Sequence, residues 1–275
     1  MRRHLDGLDH VVILVRDLDR AQDTYARLGF TLTPRGFHTL GSQNHCIMFE
    51  RDYIELLAVP RPHPAMQYFT EFLSKAEGLA AVALATPDAA GAHAELSGAG
   101  IAADPPLDFS RPVERLGDAQ FRIVQLPPEA TPGCRTFLCQ HFTRHLVWRR
   151  GYQDHAVGAL GIAALAIVAE DPVSAAADYA RLFDAPAARI DEGRLVATGS
   201  APIALGSRSR LGRRLEGVQL PLRARPFVAA LFIRVADRAR AAAAMRRGGF
   251  EPVALNDGSF AVGADQANGV ALVFG

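Results

Sequence analysis

Two ionisable residues stand where the sequence is otherwise apolar. His10 interrupts Leu8-Asp9-His10-Val11-Val12-Ile13-Leu14-Val15, and Glu55 interrupts Tyr53-Ile54-Glu55-Leu56-Leu57. Burying either side chain alone is costly, so each needs a partner, and a shared metal ion or a mutual hydrogen bond would serve. A second polar set lies close by in the chain: His38, Asn44 and His45. Strand alternation groups Asn44 with Cys46 and Met48, and His45 with Ile47 and Phe49, so only one of the two shares a face with the first pair unless a bulge intervenes. Further along, Phe137-Leu138-Cys139-Gln140-His141 offers Gln140 and His141 on opposite faces, and alternation from Thr136 and Leu138 favours Gln140 as the inward one. Imidazoles and carboxylates gathered in this way can ligate a metal or move protons. A turn-proximal surface position would account for His38 equally well.

The elements that must position these residues follow one small plan. Leu8 to Val15 has strand length, Asp17 is a helix N-cap and Gly29 a helix end, and Thr31 to Thr39, Ser42 to Arg51 and Asp52 to Val59 form three further strands. The Asp17 to Gly29 interval recurs as Asp88 to Gly100 and as Asp237 to Gly249. Tyr25-Ala26-Arg27-Leu28 recurs as Tyr179-Ala180-Arg181-Leu182 behind Asp171. Four βαβββ units are expected, with a boundary near Trp148 to Gly158 that separates residues 1–150 from a shorter second pair at 151–275. In the later units alanine stands where the first has His10: Ala81, Ala164 and Ala230. A symmetric two-histidine, two-glutamate site is therefore excluded, and the second half reads as a structural scaffold. Arg208 to Arg225 reads as a linker, with Arg210, Arg213 and Arg214 on a solvated face.

The chain has 275 residues, 49% of them hydrophobic, enough to fill real cores. Its formal charge of +1 gives no field of the kind that gathers nucleic acid or anionic lipid, so the expected partner is a small molecule. Lys75 is the only lysine, and nothing around it supports Schiff-base chemistry. Cys46, Cys134 and Cys139 lack disulfide or zinc spacing and read as reduced core thiols. No Gly-x-Ser-x-Gly elbow is present, and Gly248-Gly249 ends a helix instead of opening one, the wrong end for a phosphate. The charged N-terminus lacks a sustained apolar region and no uninterrupted span of about 18 apolar residues occurs, so cytoplasm is the expected address.

The strings Leu8-Asp9-His10-Val11-Val12, Gly41-Ser42-Gln43-Asn44-His45, Asp52-Tyr53-Ile54-Glu55-Leu56-Leu57 and Phe137-Leu138-Cys139-Gln140-His141, with Leu146-Val147-Trp148-Arg149, resemble the glyoxalase-like proteins of the vicinal-oxygen-chelate superfamily over residues 8–150. The resemblance implies an α+β fold of βαβββ modules paired into incomplete barrels around a cavity that often holds a divalent metal. It further implies His10 and Glu55 as metal ligands, with Gln140 or His141 as a third. The ion would be Zn, Ni, Mn or Fe(II). Glu55 or His45 would shuttle the proton, and His38, Asn44, Tyr53 and His141 would meet the substrate. Arg35, Arg111 and Arg115 are candidates to neutralise a substrate carboxylate, although surface placement serves them equally. The expected function is that of a metal-dependent lyase, isomerase or dioxygenase acting on a small oxygenated substrate. The alternative is a metal-free protein that sequesters a small apolar molecule. A homodimer is a family-level expectation.

Overall fold

A computed structural model describes residues 1–61, 63–113 and 115–275. The first unit is β1 (Leu8–Leu14), α1 (Leu18–Arg27), β2 (Gly36–Phe37), β3 (Gln43–Met48) and β4 (Tyr53–Ala58), and a helix α2 (Gln67–Lys75) leads out of it. The second is β5 (Gly78–Ala85), α3 (Ala89–Gly98), β6 (Leu107–Val113), β7 (Gly117–Gln125) and β8 (Arg135–His141), followed by the short α4 (Arg144–Val147). The third is β9 (Ala159–Val168), α5 (Pro172–Phe183), β10 (Ala187–Ile190), β11 (Gly193–Val196) and β12 (Ile203–Gly206), with α6 (Arg208–Arg214) after it. The fourth is β13 (Phe227–Val235), α7 (Arg238–Arg247), β14 (Val253–Ala254), β15 (Phe260–Val262) and β16 (Ala271–Phe274).

The βαβββ order therefore runs four times, as the spacing predicts. The four aspartates that mark it are the N-caps: Asp17, Asp88, Asp171 and Asp237 each accept backbone N–H groups in the first turn of the following helix. Each such cap stabilises its helix by about 1 kcal/mol. Three of these helices end at glycines with positive φ, Gly29, Gly100 and Gly249, and α5 ends at Asp184, which itself turns left-handed at φ 48°.

The strands make two eight-stranded sheets, ordered β2-β3-β4-β1-β5-β8-β7-β6 and β10-β11-β12-β9-β13-β16-β15-β14. In each, two units meet through their first strands, antiparallel, β1 on β5 and β9 on β13. The edges of the first sheet come together, with Thr39 Oγ1 donating to the Ser110 carbonyl at 3.3 Å, so that it curls nearly into a barrel. One face of every inner strand packs on the helices, and a continuous core joins both halves, running from Val11, Ile13 and Tyr25 to Leu165, Tyr179 and Phe274.

The other faces differ between the halves. In the first sheet Val12, Leu14 and Leu57 pack under Tyr68, Phe69 and Phe72 of α2, which covers one end of the barrel and leaves the remainder hollow. In the second sheet Ala166, Ala229, Ala230 and Ala271 pack against Leu211, Leu215, Val218 and Leu220. The segment that reads as a linker thus contains α6 and fills the concave face. Arg213 is exposed beside Glu192, as a solvated face requires, but Arg210 is largely covered and its Nε is buried without a partner. Among the described residues no helix is long and apolar enough to cross a membrane.

Candidate active site in the first sheet

The hollow of the first sheet encloses about 930 Å³ of empty space, part of it open to solvent. Its walls are mostly apolar, with Tyr53, Phe109, Phe121 and Phe137 among them, and His10, His38, Asn44 and Glu55 converge on one side. Alternation explains the convergence. Val11 and Ile13 face the helices, so His10 and Val12 face the cavity; β3 presents Asn44 and Cys46, and β4 presents Tyr53 and Glu55. Glu55 lies opposite Val12 on β1 and Cys46 on β3, next to the strand that carries His10.

His10 is buried and held on three sides. Its ring stacks on Tyr53 at 4.3 Å and meets Phe137 edge-on at 5.5 Å. Its Nδ1 lies 2.5 Å from Asp9 Oδ1. Consecutive strand residues ordinarily point to opposite faces, but the pairing of β1 with β5 slips between Leu8 and His10, so Asp9 occupies a bulge that brings its carboxylate round to the histidine. The same oxygen contacts His141 Nε2 at 3.1 Å. Burial by itself would raise the Asp9 pKa, but the facing His141 and the two imidazole hydrogen bonds prevail and hold the carboxyl well below its usual range. An ionised Asp9 can only accept, so His10 Nδ1 carries a proton and its Nε2 is the ring nitrogen turned to the cavity.

That Nε2 stands 3.8 Å from Glu55 Oε2. On the other side of the carboxylate, His38 Nε2 stands 3.8 Å from Glu55 Oε1. Asn44 joins the two, its Nδ2 donating to Glu55 Oε1 at 2.5 Å and facing His38 Nε2 at 3.4 Å, while His38 Nδ1 bonds Ser42 Oγ at 2.9 Å. Burial lowers the His38 pKa, opposed by Glu55 and aided by Arg111, which favours the neutral ring. Two imidazoles thus turn their Nε2 atoms toward opposite oxygens of one carboxylate, beyond hydrogen-bond range, and the His10–Glu55 separation is that of two atoms sharing an ion through bonds of about 2 Å. His10 and Glu55 are therefore the pair of donors here whose chemistry and spacing fit a divalent ion.

Four of the residues expected at the site therefore meet: His10, Glu55, His38 and Asn44, with Tyr53 stacked against them. Three expectations are corrected. Gln140 lies on the helix side of β8, where its Oε1 accepts from Ala89 N at 3.0 Å and its Nε2 donates to the Pro87 carbonyl at 2.8 Å; it caps α3 and is no cavity ligand. The inward residues of β8 are Phe137 and Cys139. His45 shares the helix-side face of β3 with Ile47 and Phe49, donates from Nδ1 to the Thr33 carbonyl at 2.8 Å, and has no path to the cavity. His141 reaches the site through Asp9 instead of lining the cavity. Arg35 bonds Asp19 outside the cavity, whereas Arg111 lines it.

Asp9 and Cys139 are the residues that sequence reasoning missed. With His141 they form the group of three metal-type side chains whose donor atoms all lie within 4.8 Å of one another among the described residues. Burial pushes the Cys139 thiol well above its ordinary range, and Asp9 is already bonded to two imidazoles, whereas His141 Nδ1 is buried without a hydrogen-bond partner.

A family model described as a glyoxalase-like domain matches residues 8–183, from β1 through α5. The chain belongs to this family of the vicinal-oxygen-chelate superfamily. No curated protein matches it. Among solved structures, this glyoxalase-like protein is similar to a hypothetical protein from Staphylococcus aureus, with 13% identity, 98% of each chain covered and a TM-score of 0.70. It is also similar to a mutant of 4-hydroxymandelate synthase from Streptomyces coelicolor, with 16% identity, 91% of this chain and 77% of that one covered, and a TM-score of 0.59. A third is a xylose isomerase-like TIM barrel/4-hydroxyphenylpyruvate dioxygenase fusion protein, with 17% identity, 91% of this chain and 40% of that one covered, and a TM-score of 0.59. At these identities the likeness is one of fold.

Proposed function

We propose that the glyoxalase-like protein is a metal-dependent enzyme of the lyase, isomerase or dioxygenase type, acting on a small oxygenated substrate in the first sheet's cavity. The observation that carries this reading is the 3.8 Å separation of His10 Nε2 and Glu55 Oε2 in a mostly apolar cavity, too long for a hydrogen bond and close to the spacing of two atoms that share an ion. His10 and Glu55 would hold the ion. Once bound, it would supply Lewis-acid polarisation of vicinal substrate oxygens.

The chain's own residues do the rest. Asp9 and Tyr53 fix the plane and tautomer of His10, and Asn44 fixes the Glu55 carboxylate. His38, kept neutral by burial, is placed beside Glu55 to take a proton from the substrate at Nε2, the role expected of His45. The mostly apolar aromatic walls lower the local dielectric, which strengthens each of these interactions.

One observation favours a metal-free binding protein instead. The positions in the second unit that correspond to His10 and Glu55 are Ala81 and Phe137, so that unit offers no histidine or carboxylate at either position. Metal content separates the two. Protein purified without tag or chelator is measured by mass spectrometry beside His10→Ala and Glu55→Gln. Near-stoichiometric metal lost in both variants supports the enzyme. Absence of metal after reconstitution with Zn, Ni, Mn and Fe(II) leaves the binding protein.

A further inference from the structure

The cavity holds one cation and one buried acceptor whose partners are missing, and the two are neighbours. Asn44 gives its Nδ2 to the Glu55 carboxylate, which fixes the orientation of its amide, so Oδ1 must accept; that atom is buried and has no hydrogen-bond partner. Arg111 enters from β6 across Gly36 of β2. A Cβ on Gly36 would stand 2.3 Å from Asn44 Oδ1, 2.8 Å from Arg111 Cδ and 2.9 Å from Arg111 Nη1, so the missing side chain is what lets guanidinium and amide meet there. Among the described residues Arg111 has neither an ion-pair nor a hydrogen-bond partner, although it lines the cavity. The other cavity arginine is engaged: Arg135 Nη2 donates to Gln125 Oε1 and its guanidinium covers the Tyr68 ring at 5.4 Å. The buried, unmet Asn44 Oδ1 costs free energy until a ligand supplies a donor, and the half-buried guanidinium beside it is free of hydrogen-bond and ion-pair partners among the described residues to receive the same ligand.

We propose that Arg111 and Asn44 Oδ1 form a subsite for a carboxylate with an adjacent hydroxyl, so that the ligand of this cavity is a 2-hydroxy acid with an apolar body. The carboxylate accepts from the Arg111 guanidinium, and the hydroxyl donates to Asn44 Oδ1. The body lies along Phe109 and Phe121, whose rings stack at 4.9 Å in the same wall as Arg111. The assignment rests on the reading of the first sheet's cavity as the ligand site but not on a metal, because neither Arg111 nor Asn44 Oδ1 is a proposed metal donor. It names the substrate class of the proposed enzyme, or the cargo of a metal-free binder.

The experiment is calorimetric titration of the full chain, stripped of metal, with lactate, 3-phenyllactate and 2-hydroxyoctanoate, each against the matched acid without the hydroxyl and the matched diol without the carboxylate. The hydroxy acids with larger bodies bind best. Loss of the hydroxyl weakens binding roughly 3- to 10-fold, and loss of the carboxylate roughly 10- to 100-fold. Arg111→Met reproduces the carboxylate loss for the acids and leaves the diols unchanged, with Arg111→Lys between the two. Because the ligand series is read in the wild type, the result stands even where a variant folds poorly. Hydroxy acids that bind no better than the diols overturn the proposal, as does Arg111→Met binding the acids at wild-type affinity. If deleting the hydroxyl costs nothing, Arg111 itself satisfies Asn44 Oδ1 and the hydroxy-acid assignment fails. Metal content, measured separately, decides the enzyme reading whichever way these titrations fall.

Discussion

Asp9 and His10, adjacent in the chain, turn their side chains toward each other and meet at 2.5 Å because a bulge in β1 cancels the alternation that would part them. The carboxylate also receives His141 from β8, so the second unit, which contributes no donor at the positions matching His10 and Glu55, still supports the first unit's histidine. Asp9→Ala removes two hydrogen bonds to a charged acceptor inside the protein and should destabilise the fold by about 2–4 kcal/mol. On the proposed metal-dependent reading it should also weaken divalent metal binding about 10- to 100-fold, since His10 loses the group that orients its ring. Denaturant unfolding and metal titration read the two effects. Asp9→Asn keeps one acceptor and should fall between wild type and Asp9→Ala.

The depressed pKa of Asp9 sets an acid dependence. A carboxyl whose folded pKa lies below its ordinary 3.8 contributes stability that is present above 3.8 and lost as the pH falls through the folded value. Unfolding free energy of the wild type should therefore decline below about pH 4, and Asp9→Asn should remove that part of the slope.

Asp52 has the opposite sign. Burial beneath β9 pushes its carboxyl up to about 6, with the backbone N–H of Ile162, which donates at 3.0 Å, and the Arg234 charge pulling the other way. A carboxyl raised in this way contributes stability that is fully present below 3.8 and lost as the pH rises through about 6. Asp52→Asn keeps an acceptor for Ile162 and removes the buried charge. It should raise stability at pH 8 by roughly 1–3 kcal/mol while leaving it nearly unchanged at pH 4. Unfolding curves at the two pH values check this, and a gain of equal size at both would contradict it.

Gln140 separates a structural role from a ligand role. Its side chain satisfies Ala89 N at the start of α3 and the Pro87 carbonyl beside it. Gln140→Ala should cost about 1 kcal/mol of stability, as other lost helix caps do, and leave metal content and ligand affinity as in the wild type. A loss of metal in this variant would reinstate Gln140 as a ligand and contradict the observed side of β8.

The frame of the fold was legible because it rests on local chemistry. Four N-cap aspartates and the glycines after three of the helices fix helix starts and ends within a few residues, and alternation put Asn44 and His45 on opposite faces of β3 without telling which joins His10 and Glu55. The errors arose where parity had no anchor. On β8 the choice between Gln140 and His141 depended on which face of Thr136 and Leu138 was inward, and Leu138 turned out to belong to the core under the helices. Asp9 was hidden by a bulge, which slips the register by one residue and leaves no mark in composition. The helix α6 was hidden by its arginines; its buried contribution comes from Leu211, with Leu215 just beyond it, too few apolar positions to show a period.

The recurring Tyr-Ala-Arg-Leu, by contrast, encodes the junction of the two halves. Tyr25 Oη donates to the Ala267 carbonyl in the fourth unit at 3.2 Å, and Tyr179 Oη donates to the Pro132 carbonyl in the second at 2.8 Å. Arg27 Nε likewise donates to the Gly248 carbonyl at 2.9 Å, and Arg181 Nη2 to that of Gly100, so each half fastens the helix end of the other. Tyr179→Phe should cost about 1–3 kcal/mol, since it removes the hydrogen bond to the Pro132 carbonyl, and Tyr25→Phe less, about 0.5–1.5 kcal/mol, since the Ala267 carbonyl keeps the N–H of Val270 at 3.4 Å. The two share no partner, so the double variant should show the sum. Because one apolar core runs through both halves, both substitutions should lower the same cooperative transition in calorimetry. Two separate transitions, with Tyr25→Phe moving one and Tyr179→Phe the other, would instead show that each half holds its fold alone and that these hydrogen bonds only dock them.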